Sequence, residues 1–357
     1  MIRILTVVGA RPQFVKAAVV SRALAATSMV EEIMVHTGQH FDANMSDIFF
    51  DEMKIPEPDH NLGIGGGTHG ANTGRMLEQI EQLLFGEKPD MVLVFGDTDS
   101  TLAAALAAAK LMIPIGHVEA GLRSFNRAMP EEINRVLTDH ISDLLFSPSD
   151  VSVGNLAREG IAADKVHCTG DVMFDAVEMF APVAAQQSSI LSDLGIRRGE
   201  YALCTIHRKE NTDALDRLHS IFAGLADSGA QIILPLHPRT RNVLAANDIP
   251  VGANIRIIDP VGYLDMLALQ EGARLVGTDS GGVQKEAFFL SVPCITFRDE
   301  TEWVELVEIG ANKLVGADRE AIATSLAARL APVSRQPLYG DGSASHIIAK
   351  TIVAHLR

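Results

Sequence analysis

Ile2-Arg3-Ile4-Leu5-Thr6-Val7-Val8-Gly9-Ala10-Arg11-Pro12-Gln13 is a β-branched and aliphatic run that stops at a glycine and turns into a helix-length segment, with Pro12 near the first helical position. An almost continuous apolar strand has to be covered on both faces, which is the condition of a parallel sheet with helices above and below it. The same unit recurs along the chain: a short apolar run, then Gly, Asp, Ser or His, then an amphipathic segment. Further candidate strands in the first half are Glu32 to Gly38, Met91 to Gly96, Ile115 to Glu119, Leu144 to Ser147 and Val166 to Thr169. In the second half they are Tyr201 to Ile206, Gln231 to Leu236, Ile255 to Ile258, Arg274 to Thr278, Pro293 to Phe297 and Lys313 to Val315.

With 357 residues and roughly 150 residues per domain, this βα grammar predicts two doubly wound, Rossmann-like parallel-sheet domains. The helical stretch Val172 to Asp193 and the turn at Arg197, Arg198 and Gly199 place the boundary near residue 178. The expected domains are 1–178 and 179–345, followed by a closing helix at 346–357 that returns to the first domain. The stretch Arg335 to Ser345, with Pro337, Gly340 and Gly342, separates that helix from the rest.

Composition narrows the function classes. Thirty Lys and Arg against 45 Asp and Glu give a formal charge of −15, which disfavours nucleic acid and anionic membrane surfaces as partners. An anionic ligand must therefore meet a local site. Cys168, Cys204 and Cys294 are too few and too widely spaced for a disulfide framework or a C-x-x-C motif. Ile4 to Val8 is too short for a signal h-region, and no apolar run reaches the roughly 20 residues that span a bilayer. A cytoplasmic protein is expected.

In open parallel sheets ligands bind beyond the carboxyl ends of the strands. At Gly9 to Gln13, Arg11 and the free amides of a helix start make an anion site, although an ordinary turn with a surface arginine fits the local residues equally. Asp279-Ser280-Gly281-Gly282-Val283-Gln284-Lys285-Glu286 is more specific. Small residues there admit a diphosphate to the helix amides, and Glu286 stands where it can accept ribose hydroxyls; a tight turn with a solvated Glu286 is the plainer alternative. Gly65-Gly66-Gly67-Thr68-His69-Gly70 matches G-x-G-x-x-G, but Pro56 to Asn61 before it carries two prolines and several charges and is not expected to be a strand. The motif therefore reads as a mobile loop capping a cleft, not as a dinucleotide clamp.

Asp97, Glu119 and Glu131 fall at first-domain strand ends or in the loops after them, where gathered carboxylates suit proton transfer. The structural alternatives are neutralisation of Glu119 by Arg123 and a helix-start role for Glu131 or Glu132; Asp99 and Glu132 are weaker candidates. His207-Arg208-Lys209-Glu210-Asn211 brings cations to the second domain's first strand end, able to hold and stabilise a departing diphosphate, and His237-Pro238-Arg239 ends the next strand similarly. His117, His140 and His167 read as structural. No metal site is expected: H-E-x-x-H is absent, and His36 and His40 bracket a turn. Neither a G-x-S-x-G elbow nor a P-loop lysine occurs.

These motifs, in this order, resemble the UDP-N-acetylglucosamine 2-epimerase family, whose two domains have the GT-B fold and face each other across a cleft. The resemblance rests on Gly9-Ala10-Arg11-Pro12, Thr37-Gly38-Gln39-His40, Gly96-Asp97-Thr98, Gly116-His117-Val118-Glu119-Ala120-Gly121-Leu122-Arg123, Pro130-Glu131-Glu132-Ile133-Asn134-Arg135, Thr278-Asp279-Ser280-Gly281-Gly282 and Tyr339-Gly340-Asp341-Gly342. It implies inversion at C2 of a UDP-2-acetamido sugar without NAD or any other cofactor and without metal, through loss of the C2 proton and of UDP to a glycal, followed by re-addition. It places sugar and acid/base chemistry in the first domain and UDP in the second. Carried over, Asp97, Glu119, Glu131 and His207 are catalytic; Arg11, Lys16, Arg135, His237, Ser280, Gly281, Gly282 and Glu286 bind UDP or substrate. Which carboxylate takes the proton stays open. A homodimer is also implied.

Some positions depart from the common pattern. Gln13 stands for the usual Glu, Phe41 for Arg, Ser124-Phe125-Asn126 for a Thr-Gly start, and Thr301-Glu302-Trp303-Val304-Glu305 for Thr-Glu-Arg-Pro-Glu. The altered loops resemble the branch acting on UDP-2,3-diacetamido-2,3-dideoxyglucuronate, with Trp303 either stacking on a ring or packing. The change at position 41 weakens the inference of a second, regulatory UDP-sugar site. Alternatives are a hydrolysing 2-epimerase, a GT-B glycosyltransferase and a non-catalytic UDP-sugar-binding regulator.

Overall fold

The computed structural model describes residues 1–39, 52–334 and 336–357. His40 of the Thr37 motif, Phe41 and Arg335 lie outside the described residues. The chain divides into two compact units, Met1–Glu178 with Pro337–Arg357, and Met179–Gln336. The tail thus groups with the first unit from Pro337, earlier than the start at 346 read for the returning helix.

Among the described residues, the first unit holds a parallel sheet of β1 (Ile2–Val8), β2 (Val30–His36), β3 (His60–Asn61), β4 (Met91–Phe95), β5 (Ile115–Val118), β6 (Leu144–Ser147) and β7 (Val166–Cys168), in the order β3-β2-β1-β4-β5-β6-β7. The second unit repeats the plan with β8 (Ala202–Thr205), β9 (Ile232–Pro235), β10 (Ile255–Ile258), β11 (Leu275–Thr278), β12 (Cys294–Thr296) and β13 (Asn312–Leu314), ordered β10-β9-β8-β11-β12-β13. The central strands are buried throughout, as their unbroken apolar runs require. Both sheets reverse winding direction once, between β1 and β4 and between β8 and β11. Those two points are where a doubly wound sheet opens a crevice for ligands.

Packing in the first unit is tightest at that reversal. Helix Asp99–Lys110 buries Ala103, Ala104, Ala105, Ala107 and Ala108 completely; its small side chains let it lie against helices His69–Glu87 and Pro130–Ile141. A Cβ on Gly9 would stand 2.2 Å from both Thr37 Oγ1 and Ser100 Oγ, which are themselves hydrogen-bonded at 2.8 Å, so only glycine lets these three loops meet. The edge strand β3 corrects the reading of Pro56 to Asn61 as no strand: Val35 and His36 of β2 pair with His60 and Asn61. Both prolines precede the paired residues, so the ladder loses no donor. The glycine cluster after it runs into helix His69–Glu87, capped by Thr68, and His69 Nδ1 sits 2.9 Å from Asp99 Oδ2. Val172 to Asp193 forms two helices, Val172–Gln187 and Ile190–Asp193. The second unit has a core on each sheet face, one around Phe222, Leu234 and Phe297, the other around Tyr201, Ile233 and Leu269.

Candidate active site

In the first unit, the loops leaving β1, β4 and β5 are tied together by buried polar groups. Gln13 Oε1 accepts from the amides of Gly9 and Ala10 at 2.7 and 2.9 Å, while its Nε2 donates to the Phe95 carbonyl at 2.8 Å and to the Thr98 and Thr101 hydroxyls at 3.0 and 2.9 Å. Both ends of the amide are used, one as acceptor and one as donor, which a carboxylate at this position does not offer. Lys16, on the inner face of helix Arg11–Ala26, forms a buried ion pair with Glu119. Glu119 is held in the left-handed region at φ 75°, a conformation that side chains other than glycine adopt where the surrounding structure imposes it. A Cβ on Gly96 would lie 3.2 Å from Glu119 Oε2 and 3.3 Å from Lys16 Nζ, so the bare backbone there makes room for the pair.

Asp97 pairs with the buried Arg135, whose other amino group donates to Glu132 Oε2 at 2.8 Å. Glu132 also accepts from the Ser124 and Phe125 amides, each at 2.9 Å, and so fixes the backbone of the loop after β5. Asn134 Nδ2 donates to the Asp97 carbonyl at 2.9 Å. Glu131, in the first turn of helix Pro130–Ile141, is half-buried, and its side chain has no hydrogen bond or ion pair among the described residues. Arg11 stands half-buried at its helix start. Behind the loops, His117 is fully buried, with Nδ1 2.7 Å from Asp139 Oδ1 and Nε2 2.7 Å from the Gly96 carbonyl. Both ring nitrogens thus face acceptors, which fixes the ring in place. Asp139 also accepts from Gly121 N at 3.1 Å and Arg123 Nη1 at 2.7 Å. Burial opposes the Asp139 charge, but His117 and Arg123 outweigh it and hold the carboxyl below the ordinary range. Arg123 pairs with Asp139 and forks onto Glu159 at 2.7 and 2.6 Å, while Glu119 is paired with Lys16.

In the second unit, Thr205 and Thr278 are the last paired residues of β8 and β11. Asp279 follows Thr278 directly, and His207 stands two positions beyond Thr205. Asp279 is fully buried and accepts from the amides of His207 and Arg208 at 3.0 Å each and from Asn211 Nδ2 at 3.1 Å, and His207 Nδ1 lies 3.0 Å from its Oδ1. Burial raises this carboxyl, yet the pull of His207, the Arg208 amide and Asn211 leaves it lowered. The His207 ring is more than half exposed. Ser280 caps helix Gly281–Phe289, its Oγ accepting from Val283 N at 3.5 Å, and a Cβ on Gly282 would find nothing closer than 4.0 Å. The helix start is therefore open to an approaching group.

Glu286 is buried one turn inside and accepts from Gln270 Nε2 at 2.7 Å. Burial pushes its carboxyl up to about 7, against the opposing pulls of Gln270, Lys285 and Tyr263. His237 caps helix Pro238–Ala246, its Nδ1 accepting from Arg239 N at 3.2 Å. Trp303 is buried and carries the Lys285 ammonium 3.9 Å above its ring, which gives it a packing role in this structure. Glu302 beside it is forked onto the buried Arg298 at 2.8 and 3.1 Å.

Each unit thus gathers its own share of the sequence-derived residues at its own winding reversal: Arg11, Lys16, Asp97, Glu119 and Arg135 in one, His207, Ser280, Gly281 and Gly282 in the other. Lys16 and Arg135, read as substrate contacts, are each paired with one of the expected acids. Asp279 and Asp139 had no assigned role in the sequence reading, which took His117 as structural and Arg123 as a possible neutraliser of Glu119; an acid at the end of an apolar strand and directly before Ser-Gly-Gly was the available signal for Asp279. Among the described residues, no group of three His, Cys, Asp or Glu is arranged to hold a metal ion, and no helix is long and apolar enough to cross a membrane.

Comparison with known proteins gives a consistent picture. A family model described as UDP-N-acetylglucosamine 2-epimerase matches residues 22–353. The UDP-2,3-diacetamido-2,3-dideoxy-D-glucuronate 2-epimerase of Pseudomonas aeruginosa is 53% identical over 355 residues, 98% of each chain. The UDP-GlcNAc 2-epimerase of Methanocaldococcus jannaschii, crystallised with UDP-GlcNAc and UDP, is 42% identical with a TM-score of 0.93 over 99% of this chain and 100% of that one. The enzyme of Neisseria meningitidis bound to UDP-GlcNAc is 31% identical with a TM-score of 0.89 over 99% and 100%.

Proposed function

We propose, from the premise that this chain belongs to the UDP-N-acetylglucosamine 2-epimerase family, that it inverts C2 of a UDP-2-acetamido sugar and that its sugar is the 2,3-diacetamido-2,3-dideoxyglucuronate. The observation that carries the choice of sugar is the 53% identity to the Pseudomonas aeruginosa enzyme over 98% of both chains. The changed residues Ser124 to Asn126, in the loop after β5, and Trp303 to Val304, at the start of helix Val304–Glu308, support it, because there the common family pattern is replaced.

The reaction begins with loss of the C2 proton to a carboxylate. The C2–H electron pair forms the C1–C2 double bond, and the C1–O bond breaks with its pair going to the diphosphate. UDP then adds back to the glycal, and C2 is reprotonated on the opposite face. No net oxidation occurs, so the route needs no electron acceptor. Asp97, Glu119 and Glu131 are the acid/base group. Arg135 and Lys16 fix where the first two point, while Glu131, whose side chain has no partner among the described residues, is the most freely placed to exchange a proton. His207 assists the leaving diphosphate. Arg11, His237, Ser280, Gly281, Gly282 and Glu286 serve UDP, the helix amides at Gly281 supplying donors to its phosphates.

A second reading, UDP-N-acetylglucosamine as the sugar, is favoured by the structural match to the enzymes solved with that ligand. One experiment tests both. Incubation of each UDP-sugar in deuterium oxide without added cofactor should place deuterium at C2 and build up the manno epimer for the diacetamido uronate, at least tenfold faster than for UDP-N-acetylglucosamine. Faster exchange with the latter moves the assignment to the second reading, and no exchange with either overturns the epimerase reading for this chain.

A further inference from the structure

The end of the second unit's sheet holds a carboxylate that the reading so far leaves without a task. The register pairs Thr205 with Thr278, and their hydroxyls meet at 2.5 Å, so the chain positions just beyond, His207 on one strand exit and Asp279 on the other, are brought together by the parallel ladder itself. Asp279 is entirely out of contact with solvent. Its Oδ2 accepts from the Arg208 amide and Asn211 Nδ2, the His207 amide lies 3.1 and 3.0 Å from Oδ1 and Oδ2, and Oδ1 stands 3.0 Å from His207 Nδ1. Two backbone amides and one side-chain amide thus donate to this anion beside the ring. Asn211 is locked in turn by the Phe297 carbonyl at 2.9 Å. Two nearby guanidinium groups are engaged elsewhere: Arg208 faces Glu210 and Glu302 at 3.7 and 3.8 Å, and Arg217 reaches Asp299 at 2.9 Å.

We infer that Asp279 is the positioning residue of this reaction: it keeps a proton on His207 Nδ1 and carries the balancing negative charge when Nε2 is also protonated, so that Nε2 presents its proton to the departing diphosphate oxygen. The inference rests on the role proposed for His207 above. As the C1–O bond breaks, its electron pair stays on the diphosphate oxygen and the Nε2 proton passes to that oxygen. A neutral imidazole with Nδ1–H remains, and the proton returns to Nε2 when UDP re-adds. A buried anion fixed by several donors does this better than an exposed one, because it keeps its place as the charge on the ring changes. The exposure of the ring, more than half, leaves the other nitrogen available to a ligand.

The test replaces Asp279 by Asn in the full chain. The Oδ2 position faces the Arg208 amide and Asn211 Nδ2, so the Asn oxygen takes it and the Asn NH2 is turned toward His207 Nδ1, which must then accept. Long-range 1H–15N spectra of histidine-labelled protein, with His207 identified through His207→Gln, read the tautomer directly. The wild type should show Nδ1–H in its neutral form and Asp279→Asn should show Nε2–H. In the same variant kcat should fall at least tenfold, while UDP affinity by calorimetry stays within about threefold. A wild-type ring with Nε2–H when neutral overturns the inference without any variant, and so does a folded Asp279→Asn protein with unchanged tautomer or unchanged kcat. Should neither sugar exchange in the wild type, the epimerase reading falls, while the tautomer still reports on the Asp279–His207 pair by itself.

Discussion

At the scale of single residues, the molecule places several ionisable groups where solvent does not reach, and Glu286 is the one whose consequence is measurable without substrate. Its folded carboxyl is raised from 4.5 to about 7, so the folded chain holds a proton that the unfolded chain gives up. Stability from this group is therefore fully present below the unfolded value near 4.5 and is lost as pH rises through 7. The loss is on the order of 3 kcal/mol if nothing else relaxes. Glu286→Gln removes the titration but keeps an oxygen for Gln270, whose amide donates to it now at 2.7 Å. Urea midpoints of the variant and the wild type should be alike at and below the unfolded value near 4.5, separate in favour of the variant as the pH rises to about 7, and stay a constant distance apart above it. Curves that stay parallel between those two values would place the proton elsewhere. Gln13 shows the same logic with no charge: a neutral amide satisfies donors on one side and acceptors on the other.

At the scale of elements, the tail is attached by a cap supplied from another helix. Asp175, on Val172–Gln187, accepts from the amides of Ala344 and Ser345 at 3.1 and 2.7 Å, where helix Ala344–His355 begins without a cap of its own. Next to it, Asp171 N donates to the Tyr339 carbonyl at 2.9 Å, and a Cβ on Gly170 would strike that carbonyl oxygen at 2.6 Å. Tyr339-Gly340-Asp341-Gly342 is thus a close backbone crossing that sets the tail in place. Helix Ala344–His355 then packs on Arg11–Ala26, the helix that carries Lys16. Asp175→Ala should cost about 1–2 kcal/mol, expressed locally. Amide hydrogen exchange at Ile348, Ile352 and Val353 should quicken roughly tenfold, while the strands of the second unit keep their protection. Unchanged exchange there would mean that the crossing at Gly170 alone holds the helix.

At the scale of the whole molecule, the two units repeat one architecture, a parallel sheet that reverses its winding once, and this also explains which features could be read from the sequence. Apolar runs with a period set by double burial gave away the strands, and the small or charged residues after them pointed to the sheet ends, because both signals are local. Partnerships were not legible: His207 and Asp279 are 72 positions apart, His117 and Asp139 are 22 apart, and only the strand order makes either pair adjacent. The short edge strand β3 escaped for a related reason, since its ladder is completed by β2 and not by its own residues. The proposed division of labour has a consequence for kinetics. If the first unit's acids move the C2 proton and the second unit's turns hold UDP, the two functions should separate on mutation. Asp97→Asn keeps a hydrogen-bonding oxygen beside Arg135 and should lower C2 deuterium exchange by about 10²–10⁴-fold, yet leave the dissociation constant for UDP within about twofold. Ser280→Ala, which removes the cap of the open helix start, should weaken UDP binding several-fold while altering the exchange rate at saturating substrate far less, since uniform binding is lost there and not stabilisation specific to the transition state. Calorimetry with UDP and exchange at saturation, run on both variants, decide the matter: if each variant lowers both quantities in proportion, the acids and the nucleotide turns act as one inseparable site and the assignment of separate tasks to the two sheets is wrong.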